Sequence, residues 1–141
     1  MTEKRDGLLL TSSSVASLLD VHSSTVKRWC DDGTLPAEKT NGGHRRIHLN
    51  DALAVGRDQG IHTSLDPFHP WEANAWLAIS EVESQDDYRR LHNLALGWLR
   101  AGETDLMGRL LWELGNRPTI PFHRFLDDGI RSLMVRVGEE W

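Results

Sequence analysis

Ser24, Thr25, Lys27 and Arg28 sit within five consecutive positions, interleaved with Val26 and followed by Trp29 and Cys30. Wound as a helix, Val26, Trp29 and Cys30 fall at i, i+3 and i+4 and turn inward, which leaves the two hydroxyls and two cations on the outer face. Short polar side chains beside cations on one helix suit the base edges and phosphates of a major groove. A second set, Lys39, Thr40, His44, Arg45 and Arg46, surrounds Asn41-Gly42-Gly43, whose residues accept positive φ and form tight hairpin turns. Cations around such a tip fit the sugar-phosphate backbone or the minor groove, where they supply affinity and position rather than base reading.

The flanking sequence contains the elements needed to hold these two sets. Thr11 to Ser14 supply hydroxyl caps for a first helix, on which Val15, Ala16, Leu18 and Leu19 form an apolar stripe. Asp20 ends that helix, since aspartate tolerates the left-handed conformation of a tight helix-helix turn, and Ser23 or Ser24 is expected to cap the second. Ala16, Asp20, Val26 and Trp29 meet the spacing of two crossing helices, with Asp20 where many such motifs carry Gly. Asp31-Asp32-Gly33 closes the second helix. Leu35-Pro36 then begins a strand that returns through Arg45, Ile47 and Leu49, and Asn50-Asp51 is expected to cap a third helix carrying Ala52, Leu53 and Val55.

Over roughly residues 8 to 60 the chain resembles the winged-helix DNA-binding domains of the MerR superfamily and their excisionase-like relatives. VKRWCDDGTLPAEKT followed by GGHRRIH carries the likeness, as recognition helix plus wing. The resemblance implies double-stranded DNA as partner.

Charge is distributed in keeping with this. Residues 1 to 57 hold 8 Lys and Arg against 7 Asp and Glu, whereas residues 58 to 141 hold 8 against 14, so the basic surplus is confined to the first segment. Cys30 is the sole cysteine, which rules out an internal disulfide or a thiolate metal cluster within one chain, and we read it as a core contact. The seven histidines lack the spacing of a zinc site, so no metal is expected. With no Ser/His/Asp set, P-loop or dinucleotide fingerprint, the reading is not an enzyme. No run approaches the ~20 apolar residues of a membrane span, and MTEKRDG has no apolar signal core, so a cytoplasmic protein with no membrane partner is expected.

Beyond the head, residues 61–70 read as a linker and residues 71–141 as an all-α bundle. Pro70 is expected to open a short helix with Trp71, Ala75, Trp76 and Ile79, and Ser84 to cap a longer one with Tyr88, Leu91, Leu94, Ala95, Trp98 and Leu99. Thr104 should cap a third, with Leu106, Leu110, Leu111 and Leu114. A last helix presents Phe122, Phe125, Leu126, Ile130, Leu133, Met134 and Val137 inward.

The stretch from Ala101 to Trp141 resembles the helical cap that precedes a cobalamin-binding domain, with Val137, Gly138 and Trp141 matching the end of its V-G-x-x-W pattern. In that family the Trp covers the upper face of the corrin. The resemblance implies a cobalamin-dependent, light-responsive repressor. The Glu-His pair and the Asp-x-His-x-x-Gly that should follow are absent from this sequence, so the cap is expected to be incomplete. We therefore expect no cofactor in this chain, and adenosylcobalamin with Trp141 as its contact only in a longer protein.

The sequence thus predicts a mainly α protein: a winged helix-turn-helix domain with a small β-hairpin wing at 1–60, a linker at 61–70, and an α-helical bundle at 71–141. The function expected is a sequence-specific DNA-binding transcriptional regulator of MerR type, acting as a homo-oligomer. The DNA contacts expected are Ser24, Thr25, Lys27, Arg28, Lys39, Thr40, His44, Arg45 and Arg46. The alternative is an excisionase-like architectural DNA-binding protein with no small-molecule effector.

Overall fold

A computed structural model describes residues 8–141, in which the chain forms two compact units that meet in sequence between Thr63 and Ser64. The expectation that MTEKRDG lacks a signal core falls outside the described residues. Among the described residues, no helix is long and apolar enough to cross a membrane.

The first unit contains β1 (Leu9–Leu10), α1 (Ser12–Leu19), α2 (Ser23–Asp31), β2 (Glu38–Lys39), β3 (Arg45–His48) and α3 (Leu49–Asp58). Thr11 caps α1, its hydroxyl accepting the Ser14 N–H at 3.1 Å. Asp20 takes the left-handed conformation (φ 55°) that turns the chain into α2. The three strands are antiparallel in the order β1-β3-β2, with Leu10 opposite Ile47 and Lys39 opposite Arg45. Val15, Leu19, Val26, Trp29, Leu35, Ile47, Leu49 and Leu53 form the core beneath this sheet. There α3 approaches α1 so closely that a Cβ on Gly56 would lie 2.8 Å from the Leu19 side chain.

The structure corrects the sequence reading in three places here. β1 was not anticipated; it is two residues long and exists by pairing with β3, a long-range effect that local pattern does not carry. The N-cap of α2 is His22 rather than Ser23 or Ser24, and that of α3 is His48 rather than Asn50, neither with a side-chain capping bond. Burial of Val26 and Leu49 sets these starts in place of hydroxyl capping.

The second unit contains a 3₁₀ turn (Asp66–Phe68), α4 (Glu72–Gln85), α5 (Arg89–Arg100), α6 (Thr104–Gly115), and a last rod made of α7 (Phe122–Arg124), a π-helical segment (Phe125–Arg131) and α8 (Ser132–Glu140). α4 packs on α5, α5 on α6, and α6 on the π segment. Residues 61–70 are not a plain linker: Leu65 and Phe68 are buried, and the Phe68 ring stacks on Trp98 with centroids 6.0 Å apart. Trp71 precedes α4, which runs on through Ser84, whose hydroxyl bonds back to the Ser80 carbonyl at 2.6 Å instead of capping a new helix. Asp86, again left-handed, makes the break two residues later. Glu103, not Thr104, is the N-cap of α6.

In the last rod Phe125 and Leu133 are buried as expected, but Phe122, Leu126 and Met134 are exposed. A π turn takes more than 3.6 residues, so it rotates everything beyond it relative to an α-helical register, and one apolar stripe cannot continue through it. The buried His92 ring holds the segment, its Nε2 lying 2.7 Å from the Asp128 carbonyl oxygen and 3.2 Å from that of Gly129.

Candidate nucleic-acid interface

The outer face of α2 carries Ser24, Lys27 and Arg28 exposed and Thr25 half-buried, while Val26 and Trp29 are buried in the core behind them. The segment adopts this orientation because burying Val26 and Trp29 together, three residues apart, fixes the helix rotation to within a fraction of a turn. Cys30 is half-buried; burial raises its thiol pKa, and the nearby Arg45 guanidinium opposes that rise. This fits a packing role rather than a reactive one.

The wing is built by short-range bonds. Thr40 and His44 close the hairpin, with the Thr40 N–H donating to the His44 carbonyl at 2.8 Å and the His44 N–H donating to the Thr40 hydroxyl at 3.3 Å. Gly43 sits at φ 78°, a conformation that side chains resist. Thr40 therefore shapes the turn, and His44 and Lys39 project from it exposed. The two arginines are tied down. Arg46 donates to the Arg45 carbonyl at 3.1 Å, and Arg45 donates to Asp31 at the end of α2 at 2.7 Å. At the foot of the wing, His48 Nε2 lies 3.7 Å from the Glu38 carboxylate.

Thr11, Ser12 and Ser13 at the start of α1, Lys27 from α2, and Gly43 to Arg46 of the wing line one groove of about 430 Å³. The structure thus brings Lys27, His44, Arg45 and Arg46 together, with Lys39 and Thr40 on the same hairpin; Ser24, Thr25 and Arg28 lie on the helix outside that groove. Sequence reasoning missed two participants. The hydroxyls of residues 11 to 13 read only as caps, although one cap needs one hydroxyl and three were present. Asp31 read only as a stop signal, because its partner lies 14 residues away.

Two helices joined by a left-handed aspartate, a hairpin wing, and a cationic groove between them define a helix-turn-helix module. Comparison with known families agrees: residues 9–51 match the family described as a helix-turn-helix domain. No curated protein gives a significant match to the chain. Among the described residues, no group of three or more His, Cys, Asp or Glu is placed to hold a metal ion.

Proposed function

We propose that this chain is a sequence-specific, DNA-binding transcriptional regulator of MerR type. One observation carries the reading, namely which cations are left uncommitted. Lys27, Arg28 and Lys39 are exposed and make no ion pair among the described residues. In the second unit, by contrast, Arg89, Arg90, Arg100, Arg117, Arg124 and Arg131 each face a carboxylate, Arg109 lies over the Trp112 ring and Arg136 donates to Asn93. The six that face a carboxylate have little left to offer a polyanion, so the larger share of phosphate-binding charge resides in the head.

In this reading Ser24, Thr25, Lys27 and Arg28 meet the major groove, and Lys39, His44 and Arg46 meet the backbone beside it. One such head buries a small interface, so useful affinity requires two subunits on repeated half-sites. The exposed Trp112, Phe122, Leu126, Met134 and Trp141 of the helical unit supply apolar surface for pairing subunits.

A cobalamin link would need the Glu-His and Asp-x-His-x-x-Gly of the resembled family, which this sequence does not contain. Trp141 is 67 % exposed, which leaves its ring free to cover a ligand. His92, the buried imidazole, has its Nε2 engaged with backbone carbonyls.

Fluorescence anisotropy on a labelled duplex, titrated with salt, tests the reading. We expect binding that weakens as salt rises, with a slope of about −0.9 per phosphate contacted. Absence of binding at low salt overturns it.

A further inference from the structure

Asp31 lies seven residues after Ser24, and so on the same face of α2 as Ser24, Lys27 and Arg28. A lone carboxylate there would repel the phosphates that the face is built to meet. It is instead engaged by Arg45 at 2.7 Å, and of the two side chains Arg45 is the more buried, 19 % exposed against 65 %. A guanidinium at the C-terminal end of α2 is also where the helix dipole favours a cation. The wing needs such a tie. β3 is anchored by β1, but β2 lies at the sheet edge and is held to β3 only through Glu38 with Arg46 and Lys39 with Arg45, so this end of the hairpin gains from a further contact. The bonds given above for Thr40 and His44 run within the turn itself.

We propose that Asp31 and Arg45 form a strut that fixes the wing to the recognition helix, so that Arg45 is a positioning residue rather than a phosphate contact. The inference rests on the DNA-binding reading above, and it makes a prediction whose sign is opposite to simple electrostatics. Replacing Asp31 by Asn removes a negative charge from the face that meets DNA, yet loosens the wing and weakens binding.

The experiment compares the wild-type chain with D31N, R45A and the charge-swapped pair D31R/R45D, after far-UV circular dichroism melts confirm that each is folded. Two readouts are taken. In salt titrations on a duplex, D31N and R45A each weaken binding about threefold, the scale of a partly exposed ion pair, while R45A keeps the wild-type salt slope. In ¹⁵N heteronuclear NOE measurements without DNA, the amides of residues 40 to 46 lose order in both single variants and regain it in the swapped pair. Tighter or unchanged binding by D31N, or a slope reduced by about one unit in R45A, overturns the strut. So do wing NOEs that are the same in all four proteins. If the wild type binds no duplex, the functional reading fails while the NOE comparison still decides the strut.

Discussion

The two units of this chain place their polar and apolar side chains in opposite ways. The helical unit pairs its arginines internally and leaves Trp71, Trp112, Phe122, Leu126, Met134, Val135 and Trp141 at the surface. Among the described residues the head leaves one large hydrophobic side chain, Leu9, exposed, and its exposed Lys27, Arg28 and Lys39 make no ion pair. The contrast is in keeping with the proposal above: unpaired cations on a helix and hairpin favour a polyanion, and exposed apolar side chains favour protein.

Breaking the head should leave the other unit standing. Val26 is fully buried, so Val26→Asp puts an unpaired charge into the head core at a cost of more than about 3 kcal/mol. We expect duplex binding to vanish while the NMR signals of residues 64 to 141 keep their dispersion; collapse of both units together would refute their independence. A milder cut separates reading from anchoring within the head. Lys27→Ala and Arg28→Ala should reduce affinity for a preferred duplex by about 5- to 100-fold and alter which sequence is preferred, as loss of a base contact does. Unchanged preference in both would move the reading surface off α2.

The helical unit is tested by stability rather than by DNA. His92→Leu leaves the carbonyls of Asp128 and Gly129 without their donor and should cost about 1–3 kcal/mol in chemical denaturation, with the salt slope for DNA unchanged. A much smaller effect would mean that the π segment holds itself. Lys39→Ala should leave base preference intact and reduce the salt slope by about one unit. The smallest effect is expected at Asp87, whose carboxyl is held down to about 2 by hydrogen bonds from the Arg89 side chain and backbone N–H. A depressed carboxylate stabilises the fold above its ordinary value of 3.8, and that contribution is lost as pH falls through about 2. Asp87→Asn should therefore melt lower than wild type at neutral pH, and the difference should shrink on acidification; a gap independent of pH would contradict it.

The head was largely legible in sequence because its instructions are local. Thr11 as cap, Asp20 as left-handed turn, Val26 and Trp29 as the inward pair, and Gly43 at the hairpin tip are each decided within a few residues. What escaped depended on distant partners: Leu9–Leu10 became a strand through His48 and Ile47, and Arg45 became a tethered side chain through Asp31. In the helical unit the apolar spacing located the helices but misjudged the last one, since nothing local announces that Phe125 to Arg131 would widen into a π turn. Phe125 at its start and Leu133 just beyond it are buried, while Phe122 and Leu126 are exposed.

The most direct test of the account is selection from a randomised duplex library by the wild-type chain, run beside Lys27→Ala. The account predicts enrichment of a defined sequence by the wild type and a shifted or lost preference in the variant. Recovery of the input library by the wild type at low salt, with no sequence enriched, would contradict it.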